Sequence, residues 1–296
     1  MHESSPVSVV IITHRRPHSL ERALKSVLTQ TVLPTEVIVV DDVADDATSG
    51  IVARLAESAP IAVHYVPAAP PVGESGGASR SRNIGLSRSQ FPTVAFLDDD
   101  DEWSCNYLET AAKLLVDDRV DFVLTSTSLL VGGRPTGSHV ATADIEWMDS
   151  FTDYPGITGS SIVCGPALKS SGVRFDEGLP VHNDLDFFIQ LRMAGLDYSV
   201  CTDALVLQHT DGTDHLSSAG PHKPRGIRKF YEKYHAHMSS AARRAFRKRI
   251  RRAQRHGEQR TSAMAFYTLV AILDSTPREW YMRFARIAAK EPRRYR

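Results

Sequence analysis

Apolar positions in the first half of the chain follow two periods in turn. Strand-like runs stand at residues 61–66 and 121–125, and runs unbroken by a polar residue after the first recur at 8–12, 36–40 and 93–97. Runs of this kind, rich in Val and Ile, predict strands buried on both faces. Between them the spacing becomes helical. Pro17 opens a helix whose apolar positions Leu20, Ala23, Leu24, Val27 and Leu28 follow the i, i+3, i+4, i+7, i+8 rule. Further helices are predicted over residues 44–56, 78–87 and 106–115, the second of them fed by a flexible loop at 73–77. This β-α-β-α order predicts an α/β domain with a mostly parallel sheet and helices on both faces. After Val131 the pattern loosens. Gly132-Gly133-Arg134-Pro135 predicts a turn between short strands. Residues 160–164 and 205–207 read as strands. Residues 184–194 read as a helix with Leu185, Phe188, Ile189 and Met193 on its apolar face. From Gly226 onward the chain reads as helices.

The residues that follow the strands sharpen the picture, because ligands of such sheets gather at the strands' carboxyl ends. The run at 93–97 leads directly into Asp98, Asp99, Asp100 and Asp101. Four adjacent anions repel one another and lose hydration beside a core. A divalent cation relieves both costs, and oxygen ligands suit Mg2+ or Mn2+. The strand at 36–40 ends in Asp41-Asp42, and the first strand in Thr13-His14-Arg15-Arg16. An isolated acidic run would read as a solvated turn. Two acidic ends and one basic, hydroxyl-bearing end on one sheet edge instead suit a ligand with a base, a sugar and metal-bridged phosphates. Residues 98–103 lack the central Gly of a calcium loop, and neither G-x-G-x-x-G nor a P-loop is present. A metal-dependent phosphohydrolase or nucleotidyltransferase and a non-catalytic sugar-nucleotide-binding protein remain as rival classes.

Composition bounds the rest. The 296 residues suffice for one large domain or one and a half. With 42% hydrophobic and 24% charged residues the chain falls in the soluble globular class rather than the disordered one. Cys105, Cys164 and Cys201 have neither metal nor redox spacing, which fits a reducing compartment. No charged-then-apolar leader precedes Val7, and the apolar stretch at 263–273 is too short to span a bilayer. The expected location is therefore cytoplasmic, with peripheral contact at the inner face of the membrane. Net charge is zero, but from Arg225 to Arg260 thirteen Lys/Arg face two Asp/Glu. That asymmetry marks an appended basic element. It could lie on anionic lipid, with Trp280, Tyr281 and Phe284 beside Arg283 and Arg286. It could equally hold an anionic acceptor, or pack its apolar face on the rest of the chain or on a second copy in a homo-oligomer. No base-reading module accompanies it, so no nucleic-acid partner is expected.

Three stretches together resemble family 2 glycosyltransferases. The first is Val7-Ser8-Val9-Val10-Ile11-Ile12-Thr13 with Arg16-Pro17 and the helix after it. The second is Glu36-Val37-Ile38-Val39-Val40-Asp41-Asp42. The third is Arg80-Ser81-Arg82-Asn83-Ile84-Gly85, followed by Ala95-Phe96-Leu97-Asp98-Asp99-Asp100-Asp101-Glu102-Trp103. The likeness covers roughly Val7 to His209. It implies a GT-A (nucleotide-diphospho-sugar transferase) fold with a mostly parallel mixed sheet flanked by helices and a C-terminal helical extension. Residues 1–222 would be the catalytic domain, split at 125 into nucleotide-sugar and acceptor halves, and 223–296 the basic extension. The likeness also implies a nucleotide-sugar donor, UDP favoured, with Mn2+ or Mg2+, inversion at the anomeric carbon, and a glycan, lipid-linked or small-molecule acceptor.

Residue by residue, the likeness places Thr13 and Arg15 or Arg16 in the nucleotide pocket, with Asp41 on the uracil imide and Asp42 beside it. Arg82 and Asn83 would hold the nucleotide or the acidic loop. Asp98-Asp99-Asp100 matches the DxD motif, with Asp98 and Asp99 toward the donor and Asp100 on the metal, and His209 would complete the metal shell. The base would be Asp184, within His182-Asn183-Asp184-Leu185-Asp186. The chain departs from the family at three places. Asn183 stands where a Glu is usual, Val43-Ala44 where Gly-Ser is, and His14-Arg15 where a Tyr or Asn is. Without the resemblance Asp184 would read as a first-turn acid favouring its helix dipole.

Overall fold

Val7–Thr13 (β1) and Glu36–Asp41 (β2) are buried at every position, as unbroken apolar runs are when helices cover both sheet faces. The computed structural model describes residues 5–71, 76–210 and 222–257. The chain divides into two units, 1–216 and 217–296.

In the first unit β1 is the hub, parallel to β2 on one side and to Thr93–Asp98 (β4) on the other. Ala62–Pro67 (β3) pairs with β2 alone, so as an edge strand it is only partly buried. Register decides what the strand ends can do together. Thr13 pairs with Asp41 and Ile12 with Asp98, so the carboxyl ends of β1, β2 and β4 finish level. Pro17–Leu28 (α1) buries Leu20, Ala23, Leu24 and Val27 along one stripe. Asp46–Ser58 (α2) is capped by Asp45, whose carboxylate accepts from Thr48 N at 2.7 Å. Ala78–Arg88 (α3) lies against β1 and β2. Its Gly85 permits the approach, since a Cβ there would overlap the Val10 side chain.

Beyond β4 the sheet becomes mixed. Ile162–Cys164 (β8) runs antiparallel between β4 and Phe122–Val131 (β6). Tyr198–His209 (β9) runs parallel to β6, and Asp101–Trp103 (β5) closes the far edge antiparallel to β9. Arg134–His139 (β7) folds back on β6 through Gly132 and Gly133, both at positive φ (55° and 74°) as a two-residue hairpin turn requires. The strand order is β3-β2-β1-β4-β8-β6-β9-β5, with β7 on β6. Tyr107–Asp117 (α4), Ala167–Ser171 (α5) and Asn183–Met193 (α6) complete the unit.

Several elements differ from the sequence reading. β9 spans 12 residues where only 205–207 were expected, because most of its positions are half-buried or exposed and break the apolar run. β5 lies inside the acidic row itself. The turn is confined to the two glycines, and Arg134 and Pro135 already belong to β7. Met193 is 53% exposed and leaves the apolar face expected for α6.

The second unit contains His222–Tyr234 (α7) and Ser240–Gly257 (α8). They share an apolar seam of Ile227, Phe230, Tyr234, Met238, Ala242, Phe246 and Ile250, with the Phe230 and Phe246 rings stacked at 5.4 Å. Trp280, Tyr281 and Phe284, and most of the loop expected at 73–77, lie outside the described residues. Among the described residues no helix is long and apolar enough to cross a membrane.

Candidate active site

Each carboxylate of the acidic row is held by a polar neighbour, Asp99 and Asp100 sharing Arg16. Asp98 takes Arg82 Nη2 at 2.5 Å. Asp99 turns back to the end of β1, accepting from Thr13 Oγ1 at 2.8 Å, His14 N at 3.2 Å and Arg16 Nη1 at 3.0 Å. Arg16 Nη1 also reaches Asp100 Oδ2 at 2.7 Å. Asp101 is fully buried where β5 begins, and its Oδ2 accepts from Ser160 Oγ at 2.5 Å. Ser160 ties the cluster together. Its Oγ accepts from Asp98 N at 3.0 Å, and its carbonyl accepts from Trp103 Nε1 and Tyr107 Oη at 2.9 and 3.1 Å. Trp103 therefore packs in the core, stacked on Tyr107 at 4.1 Å.

The electrostatics favour a cation. Asp98, Asp100 and Asp101 each bring a carboxylate oxygen within 4.8 Å of the others. Burial pushes the Asp101 carboxyl well above the usual range, and the Asp100 and Asp98 charges add to the shift. Burial also pushes Asp99 up to about 6, against the pull of Arg16. Asp101 Oδ1 is buried without a direct hydrogen bond among the described residues, and the Gln208 side chain only partly offsets the upward shift. A buried carboxylate oxygen without a donor is costly. A hard divalent cation fits this donor set, and the set comprises Asp98, Asp100 and Asp101.

Asp184 stands in the first turn of α6, half-buried. His182 ahead of it has φ 59°, a left-handed conformation that turns the chain sharply into the helix. Phe187, stacked on Phe175 at 3.9 Å, anchors that turn, and Phe96 of β4 meets Phe175 edge-on. Asp184 Oδ1 accepts from Leu185 N at 2.9 Å, and Asn183 Oδ1 accepts from Asp184 N at the same distance. Burial raises the Asp184 pKa; the Arg82 charge lowers it and the Asp98 charge raises it. Arg82 thus acts on both carboxylates. It is 3% exposed, and its Nε and Nη1 are buried without partners among the described residues. Gly159 backs this group, since a Cβ there would overlap Arg82 Nη2 and lie 2.5 Å from Asp98 Oδ2.

Other expected site residues are engaged elsewhere. Asp41 is fully buried and accepts from Val43 N, Asp45 N and Tyr65 Oη at 2.9, 3.2 and 2.8 Å. It shapes the loop in which Ala44 adopts φ 61°. Asp42 pairs with His14 Nδ1 at 2.6 Å. Arg15 is exposed, at φ 53°. Asn83 clasps the segment leading to α6 rather than the strand ends. Its Nδ2 donates to Phe175 O and Glu177 Oε1, and its Oδ1 accepts from Phe175 N, all at 2.9 Å. His209 is not brought onto the aspartate cluster. Its Nε2 lies 2.6 Å from Glu102 Oε1, an oxygen that Arg22 Nε also approaches at 3.0 Å. Arg22 Nη2 in turn donates to Asp100 O at 3.3 Å, and β9 itself pairs with the acidic loop, Gln208 standing opposite Asp101. Ser160 and Gly159 were missed as site residues; no motif marks either, and each acts through contacts distant in sequence.

Residues 8–153 match the sequence model of the family described as Glycosyl transferase family 2. The uncharacterized glycosyltransferase YwdF of Bacillus subtilis is 25% identical over 240 residues, which cover 77% of this chain and 84% of that protein. The putative teichuronic acid biosynthesis glycosyltransferase TuaG, also of Bacillus subtilis, is 33% identical over 42% of this chain, a match spanning about half (47%) of TuaG. Among solved structures, S. aureus TarS 1–349 in complex with UDP-GlcNAc superposes with a TM-score of 0.62 at 22% identity, covering 85% of this chain and 72% of that one. This last likeness is one of fold, the GT-A fold expected from the sequence.

Proposed function

The chain belongs to glycosyl transferase family 2 and is a glycosyltransferase; from that premise we propose that it moves a sugar from a UDP-sugar to an acceptor hydroxyl, inverting the anomeric carbon, in the assembly of a cell-surface glycan. The observation that carries the reading is the meeting of Asp98, Arg82 and Asp184 beside a carboxylate cluster at one sheet edge. The TarS complex with UDP-GlcNAc and the teichuronic acid assignment of TuaG support the donor and product classes.

In this mechanism the acceptor oxygen attacks the anomeric carbon while the bond from that carbon to the diphosphate oxygen breaks on the opposite face. The electron pair leaves with the UDP, and the hydroxyl proton passes to Asp184. General-base assistance of this kind contributes typically ~10²–10⁴-fold. Arg82, held on Asp98, places a positive charge beside the departing diphosphate. A Mn2+ or Mg2+ ion held by Asp98, Asp100 and Asp101 would supply charge neutralisation there. Thr13 and Arg16, fixed by Asp99, form the floor of the nucleotide pocket, with Arg15 at its rim. Asp41 shapes the loop at the base end of the pocket, with Asp42 beside it. His209 steadies the acidic loop through Glu102 and Arg22. Asn183 leaves one carboxylate fewer near the base than a Glu would, so Asp184 owes its raised pKa mainly to burial.

The test is a panel of UDP-sugars with Mn2+, scored first by thermal shift and then for turnover with candidate acceptors. The expected result is UDP release that depends on acceptor, with a product of inverted configuration by NMR. Acceptor-independent cleavage to UMP and a sugar 1-phosphate would overturn the reading in favour of a phosphohydrolase.

A further inference from the structure

The second unit carries charge that the transfer site does not use. α8 holds seven Arg, one Lys and no Asp or Glu, and α7 holds five Lys/Arg against Glu232 alone. Like charges recur at helical-neighbour spacing, as in Arg244, Arg247, Lys248 and Arg251, and repel one another. What holds the pair together is the apolar seam. Ala242, Phe246 and Ile250, at i, i+4 and i+8, are buried, with Phe246 stacked on Phe230 of α7. That stripe is therefore consumed inside the hairpin. An amphipathic helix that inserts its apolar face into lipid would need the stripe, so insertion by α8 is set aside.

A cationic exterior remains. Arg244, Arg247, Arg249 and Arg252 of α8 are exposed, as are Arg225 and Arg228 of α7. The preponderance of Arg favours phosphate, which a planar guanidinium can bind through two parallel hydrogen bonds. From Arg244 to Arg252 the charges run roughly 12 Å along the axis. They also spread over two packed helices, which matches a two-dimensional array of phosphates better than a single polymer strand. We propose that the α7–α8 hairpin is an electrostatic dock for an anionic lipid surface, held by contacts between guanidinium and phosphate with no inserted side chain. This inference stands apart from the donor-site reading.

The test is co-sedimentation of the full chain with vesicles of phosphatidylcholine alone and of phosphatidylcholine mixed with phosphatidylglycerol. The expected result is binding to the anionic vesicles only, weakening as salt shortens the screening length. Each exposed Arg contributes about fivefold, so the triple variant Arg244→Gln/Arg247→Gln/Arg252→Gln should bind about a hundredfold more weakly. The matching Arg→Lys triple, which keeps the charge but not the planar fork, should fall between the parent and the Gln triple. Equal binding to neutral vesicles, insensitivity to salt or unchanged binding by the Gln triple would overturn the proposal. Tighter binding of duplex DNA or of a soluble glycerol-phosphate polymer than of vesicles at the same salt would do so too. Thermal melts of both triples report on folding. The shift induced by Mn2+ and UDP-sugar, measured on the same preparations, reads the donor site separately.

Discussion

Asp184 is placed so that its fold and its task pull in opposite directions. Burial favours the protonated acid, whereas a base must be ionised to take a proton; Arg82 limits the upward shift. Because the folded pKa lies above the ordinary 3.8, Asp184 holds its proton to a higher pH than a solvated carboxylate. Transfer should therefore fall on acidification through an apparent pKa above that value. Asp184→Asn should lower kcat by ~10²–10⁴-fold, abolish this acid limb and leave the donor-induced thermal shift intact. A limb that persists in the variant would show that another group titrates there. Gly159→Ala tests the same cluster from behind. Its methyl group would drive Arg82 from Asp98, and a misplacement of about 1 Å at a reacting centre costs on the order of a hundredfold in rate. Wild-type kinetics in that variant would mean that the pair plays no part in turnover. The site was legible as far as its acids and Arg82 stand in motifs. Ser160 and Gly159 escaped notice because their importance arises from packing against residues 53 to 77 positions away, from Tyr107 against Ser160 to Arg82 against Gly159.

At the level of elements, β1, β2 and β4 were legible because strands covered on both faces admit almost no polar residue. β9 was not, because its half-buried positions read as neither alternation nor a continuous run. β5 was hidden for a different reason: its first two residues, Asp101 and Glu102, are acidic and its pairing with β9 is nonlocal. One packing detail carries a test of its own. α3 reaches β1 only because residue 85 has no side chain to meet Val10. Gly85→Ala should destabilise the protein by ~1–3 kcal/mol through overpacking. Val10→Ala should cost stability alone, yet in the double variant each change should relieve the other, giving a loss smaller than the sum. Urea unfolding of the four proteins measures this coupling, and strict additivity would mean that the two positions do not meet.

On the scale of the whole first unit, the level ends of the parallel strands gather more negative charge than nearby side chains balance. Arg82 answers Asp98, and Arg16 answers Asp99 and Asp100. Asp101 has two neutral neighbours, the Ser160 hydroxyl and the Gln208 side chain, and its Oδ1 makes no direct hydrogen bond among the described residues. Its folded pKa is raised, so between the ordinary 3.8 and that higher value the folded chain binds more protons than the unfolded one. In chelator, this group makes stability rise as pH falls through that window. Asp101→Asn removes the buried charge, keeps an acceptor for Ser160 and supplies a donor toward Asp98 and Asp100. Without metal at neutral pH the variant should therefore melt higher than the parent. With Mn2+ at a hundredfold excess over Kd the parent should gain about 2.7 kcal/mol. The variant, having lost a ligand, should gain less, so the order of the two melting temperatures is expected to close up or invert between chelator and Mn2+. Equal gains from Mn2+ would remove Asp101 from the cation site, and a variant less stable than its parent in chelator would show that the buried charge is already balanced by the protein.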